Sequence, residues 1–166
     1  MHLNRNWNLV LTAPVPVAAV FMAKWLTASL LILLAQAMFM GLYGIAGLLL
    51  ALPGPFPAET IGWALRGWYA CLSISALQLG LSLRIRSFAV PVGFSLAAVL
   101  IGLGLYVAKW GICFPYSLLT IGMHVLSRDA LDPLQEALFW TMNAGYGLLF
   151  AAWSVRGLKG RDAVTG

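Results

Sequence analysis

Residues 25–52 read WLTASLLILLAQAMFMGLYGIAGLLLAL, 28 positions without a charge. At 1.5 Å per residue a helix of that length reaches about 42 Å, beyond the roughly 30 Å hydrocarbon core of a bilayer. The run is expected to cross a membrane, tilted or with its ends in the interfaces. It is too long for the apolar core of a signal peptide and lacks a convincing cleavage site, so it is expected to stay as a membrane helix.

Composition points the same way. The chain has 166 residues, 61% hydrophobic and 9% charged, whereas soluble domains are about 25% charged. Lys and Arg number 10 against 5 acids, a net charge of +5. The basic residues are scattered between apolar runs, which reads as membrane topology rather than as a nucleic-acid surface.

On the N-terminal side, Asn6 to Lys24 is apolar but broken by Pro14 and Pro16. Proline lacks the N–H of a helix interior and pushes the preceding residue toward extended geometry. The stretch reads as a short interfacial helix over Arg5–Thr12, a Pro-marked turn and an approach to the membrane. Residues 1–24 are therefore taken as an interfacial segment that docks on headgroups or on a cytoplasmic partner.

On the C-terminal side, Pro53-Gly-Pro55-Phe-Pro57 forbids helix and makes a tight loop before Glu59. A second span is expected over 61–83. Arg66 lies near its start among Trp63, Trp68 and Tyr69, an aromatic belt. Arg66 either snorkels to the interface or touches an anionic substrate or headgroup. Arg84, Arg86 and Ser87 form a short polar turn, and a third span follows over 88–108 with Pro91 in its first turn.

Residues 110–127 are long enough to span, but Gly111, Pro115 and Gly122 interrupt them. Topology decides the reading. With four spans, Arg5, Lys24, Arg84, Arg86, Arg156, Lys159 and Arg161 fall on one side, and Glu59, Asp129, Asp132 and Glu136 on the other, as the positive-inside rule asks. Residues 110–127 are then a re-entrant or surface-lying outer segment buried against protein. Asp132-Pro133 opens the fourth span, over 133–155, with an N-cap residue followed by proline. A basic cytoplasmic tail, 156–166, closes the chain. The expectation is an all-α, multi-pass protein of the cell membrane: a transmembrane domain over 25–155, about four transmembrane helices, and both termini cytoplasmic.

Two blocks resemble a known family. The first is Trp7, Leu11, Pro14, Val15, Ala23 and Lys24, with Pro16 in place of the usual small polar residue. The second is Gln78-Leu-Gly-Leu-Ser-Leu-Arg84-Ile-Arg86-Ser-Phe-Ala-Val-Pro91-Val-Gly-Phe94, followed by Gly102 and Pro115-Tyr116. Together they resemble permease subunits of ABC-2 type exporters, most closely the lantibiotic-immunity and bacitracin-resistance group. Family permeases have six spans, and the four read here correspond to the last four, without the first two. The resemblance implies a separate ATPase subunit as partner, engaged through Trp7, Leu11, Pro14 and Lys24 and by Arg84 and Arg86. It also implies a second permease, a copy or a paralogue, and export of an amphipathic peptide or hydrophobic compound by alternating access.

Catalytic patterns are absent from the sequence. There is no G-x-x-x-x-G-K-[ST] and no G-x-S-x-G, and no paired carboxylates lie within a proposed span; Glu136, in the first turn of the fourth, stands alone. His2 and His124 have no partner at metal-ligand spacing. Cys71 and Cys113 sit in apolar runs and read as buried free thiols. No catalytic residue, metal or cofactor is expected, and the chain is not read as an enzyme. Gln36, Gln78 and Asn143 place amides within spans, where they either bond between helices or, with Arg66, line a polar substrate path. Small-xxx-small pairs, Ala37/Gly41, Ala76/Gly80, Ala98/Gly102 and Gly147/Ala151, allow close helix packing. The alternative to a transport subunit is a small membrane protein that transports nothing: an assembly factor, a scaffold or a truncated permease relic.

Overall fold

The computed structural model describes residues 16–51, 57–85, 87–127 and 131–162. Their regular structure is entirely helical: α1 (Val17–Leu49), α2 (Glu59–Arg84), α3 (Ala89–Val107), a 3-10 turn (Gly111–Cys113), α4 (Pro115–Gly122) and α5 (Pro133–Asp162). The proposed Arg5–Thr12 helix, with Trp7, Leu11 and Pro14, lies outside the described residues, as does Arg86.

Proline sets where α1 begins. Pro16 is extended (φ −61°, ψ 136°), and its carbonyl accepts from the amide of Ala19 at 2.8 Å. The helix therefore starts at Val17, eight residues before Trp25, and runs 33 residues. Lys24 lies within it rather than at its entrance. At the other end of the chain, α5 continues past residue 155 to Asp162 and takes in much of the basic tail.

The central element is α2. Its buried residues Gly67, Ala70, Ser73, Ala76 and Gly80 recur every three or four positions and so share one face. Small side chains there let neighbouring helices come close. Against this face lies α5, running parallel to α2: Arg66 meets Glu136 and Ser73 meets Asn143, both at a sequence offset of 70. On another side α1 runs antiparallel. Its Trp25 indole donates to the Leu72 carbonyl and to Ser75 Oγ, both at 3.0 Å, and Trp68 of α2 donates to the Ser29 carbonyl at 3.1 Å.

Two parallel helices in such register need the chain between them to return to the starting end. That return is α3. The chain then folds inward before α5 begins. Ser117 Oγ donates to the Gly102 carbonyl at 2.7 Å, one to two turns back along α3 from its end. From there α4 climbs back until His124 reaches Trp63 and Arg66. Pro115, Tyr116, Ser117, Leu118 and Gly122 are buried, and Leu118 joins Ala70 and Phe139 in the core. Residues 111–124 are thus an inward-folded hairpin held by α2, α3 and α5, with Pro115 starting α4 and Gly122 ending it.

Two helices, α1 and α3, are long and apolar enough to cross a membrane, with mean hydropathies of 2.0 and 2.1. Both leave wide apolar faces uncovered, including Leu30, Leu34, Leu48, Leu96 and Leu100. The cysteines carry no disulfide; Cys71 is half-buried and Cys113 is exposed rather than buried. Of the small-residue pairs, Ala76 and Gly80 meet Ser154 and Gly102 meets Tyr116 and Ser117, while no described residue lies within 4 Å of a Cβ added at Gly41.

Candidate functional site

The polar residues singled out from the sequence fall into three groups along the bundle. The first is at the end where α2 and α5 begin. Arg66 Nη2 donates to Glu136 Oε1 at 2.7 Å. Arg66 Nη1 lies 3.3 Å from His124 Nε2, and since arginine only donates, that ring nitrogen accepts. The His124 ring stacks on Trp63 with centroids 5.5 Å apart. His124 has φ 50°, a left-handed conformation unusual for a residue with a Cβ, and this closes the end of α4. Neither of the two sequence readings of Arg66 describes this: its partner is a carboxylate of the chain itself. The clue in the sequence is that Glu136 falls in the first turn of the fourth span, and a cation inside a helix bundle needs such a partner.

Beside His124 a cavity of about 560 Å³ opens between the end of α3 and the start of α5. Lys109, Tyr106 and Gln135 give it polar edges, and Ile112, Ile121 and Leu138 an apolar wall. Lys109 also has a positive φ, 63°, in the turn that sends the chain inward.

The second group is midway along. Gln78 Nε2 donates to Tyr116 Oη at 2.7 Å and also to Ser95 Oγ. Tyr116 in turn packs on Gly102, where an added Cβ would lie 3.1 Å from its own Cβ. So Gln78, Ser95, Gly102 and Tyr116 form one junction among α2, α3 and α4, with Pro115 preceding Tyr116 at the start of α4. Gln36 and Asn143 do not join it. Gln36 lies against Gly67, with its Oε1 buried and accepting no hydrogen bond from a described residue. Asn143 is 1% exposed and turns its amide back to the Phe139 carbonyl of its own helix at 2.9 Å, leaving Oδ1 likewise unmatched. The interhelical bond at that level comes instead from Ser73 Oγ to the Asn143 carbonyl.

The third group is at the opposite end. The Arg84 guanidinium sits 3.5 Å above the Trp153 ring centroid and donates to the Trp153 carbonyl at 2.6 Å. Gly157, one turn on, faces the same guanidinium, and any side chain there would strike it. Arg84 is therefore a clasp between α2 and α5, and Trp153 is a partner that sequence reading missed. Lys24 is not level with it. Its neighbour Trp25 meets Ser75, nine positions and thus about 14 Å along α2 from Arg84.

Among the described residues no three His, Cys, Asp or Glu side chains come together to hold a metal. Comparison with protein-family models, curated proteins and solved structures finds no match.

Proposed function

We propose that the chain is a four-span integral membrane protein and the permease subunit of an ABC-type exporter, acting with a separate ATPase and a second permease. In this reading α1, α2, α3 and α5 span the bilayer and residues 111–124 are re-entrant. The Arg84 end faces the cytoplasm and the Arg66 end faces outside. Of the four described acids, Glu59, Asp132 and Glu136 belong to the Arg66 end and Asp162 closes α5 at the other, in keeping with the charge asymmetry of membrane proteins.

The observation that carries the reading is the junction of Gln78, Gly102 and Tyr116. These residues carry the second family resemblance, and their meeting supports a shared helix arrangement rather than a chance run of letters. The uncovered apolar faces of α1 and α3 support lipid contact and a second permease. The cavity beside His124, apolar on one wall and polar at its rim, suits an amphipathic peptide or hydrophobic compound.

The test is purification of the tagged chain from native membranes in mild detergent, with identification of what co-elutes. A stoichiometric protein carrying a P-loop is the expected result. Recovery of the chain alone, or only with itself, would reject the transporter reading in favour of a scaffold or a permease relic.

A further inference from the structure

At the Arg84 end, α2 and α5 leave a groove of about 650 Å³ between them. Leu77, Leu149, Phe150 and Ala152 line its length, and Arg84 and Arg156 stand at its mouth. Arg84 is fixed there by the Trp153 ring and carbonyl. Arg156 is exposed and lies one turn beyond Trp153 on the same helix. The groove thus has an apolar trough along the helix axes and two permanent positive charges at one end.

We propose that this groove holds one anionic phospholipid, an acyl chain along Leu77, Leu149 and Phe150 and the phosphate at Arg84 and Arg156. The inference rests on the membrane-spanning reading above but not on export. Charge complementarity selects the occupant. Guanidinium groups favour phosphate oxygens geometrically as well as by charge, and basic pockets between membrane helices on the cytoplasmic side suit anionic headgroups. A soluble anion would leave the trough empty, and a zwitterionic lipid would set its own cation against the arginines.

The experiment places the full chain in phosphatidylcholine nanodiscs, with or without phosphatidylglycerol. The protein is then extracted in mild detergent and the retained lipid counted by native mass spectrometry. The wild type retains one phosphatidylglycerol and no phosphatidylcholine. Arg156→Ala lowers that retention roughly five-fold, Arg156→Lys largely keeps it, and Leu149→Trp, which fills the trough from an exposed position, abolishes it. Equal retention of both lipids, or wild-type retention by Arg156→Ala and Leu149→Trp, overturns the proposal. Stripping of the lipid by inorganic phosphate alone also overturns it, because the trough would then contribute nothing. A chain that never enters the bilayer fails the membrane reading instead, a separate result visible before any lipid is counted.

Discussion

Arg66 on α2 and Glu136 on α5 are 70 positions apart in sequence and 2.7 Å apart in space. The contact fixes the register of two parallel helices at one end, as Arg84 on Trp153 does at the other. Both partners are partly exposed, 25% and 41%, so solvent screens the pair. Its coupling should be about 0.5–1 kcal/mol. A double-mutant cycle with Arg66→Ala and Glu136→Ala, read by thermal unfolding in detergent, measures it. The charge-swapped Arg66→Glu/Glu136→Arg protein should recover most of the loss that either single reversal produces.

The α3–α4 contact should be intolerant of a single methyl group. A Cβ at Gly102 would sit 3.1 Å from the Ser117 amide nitrogen and 3.2 Å from the Tyr116 carbonyl carbon, backbone atoms that cannot swing aside. Gly102→Ala should cost about 1–3 kcal/mol. Gly41→Ala, with no described residue within 4 Å and inside α1, should leave the isolated chain as stable or more stable by up to about 1 kcal/mol. Parallel melts of the two variants check the contrast.

Much of this arrangement was legible in the sequence, for definite reasons. Long charge-free runs and Pro/Gly breaks located α2 and α3 to within two residues, and Asp132-Pro133 marked the start of α5 correctly, while the start of α1 and the end of α5 lay seven or eight residues off. In the charge pattern residues 110–127 read as a segment buried against protein, and Pro115 to Leu118 and Gly122 are buried in the bundle. Lys24 reads as a boundary in the sequence, whereas α1 starts at Val17. A lysine on a long flexible stem is tolerated within a helix, and it is Pro16 that ends the helical backbone. Parallel pairing of α2 with α5 was not legible. Hydropathy gives the lengths of spans but not which faces meet, so Glu136 and Trp153 were missed as the partners of Arg66 and Arg84.

Gln78 is the hub of the mid-bundle junction and should behave asymmetrically. Gln78→Leu leaves Tyr116 Oη and Ser95 Oγ without their donor and should destabilise by about 1–3 kcal/mol. Adding Tyr116→Phe removes one orphaned group and should return part of that loss. Thermal melts of the single and double variants decide it; an additive double mutant would mean the junction carries no coupling.

Trp25 ties α1 to α2 through two acceptors, the Leu72 carbonyl and Ser75 Oγ. Trp25→Phe keeps a ring and loses the donor, and should cost about 1 kcal/mol. The effect should show as earlier proteolysis of α1 in detergent, with the α2–α5 pair protected as before.

If the N-terminal stretch couples the permease to an ATPase, Trp7→Ala and Pro14→Ala should abolish export or resistance while membrane insertion and protein amount stay normal. Immunoblots of membrane fractions beside a peptide-resistance assay separate the two effects. Full resistance in both variants would remove the coupling role.

The central claim is that this bundle spans a bilayer with the Arg84 end in the cytoplasm and the Arg66 end outside. Cysteine labelling in intact cells tests it most directly, in a background lacking Cys71 and Cys113. Leu134→Cys, exposed at the start of α5, should react with a membrane-impermeant maleimide, and Ser87→Cys, in the α2–α3 turn, should react only after the cells are opened. Labelling of both positions in intact cells, the reverse pattern, or recovery of the chain in the soluble fraction would contradict the account.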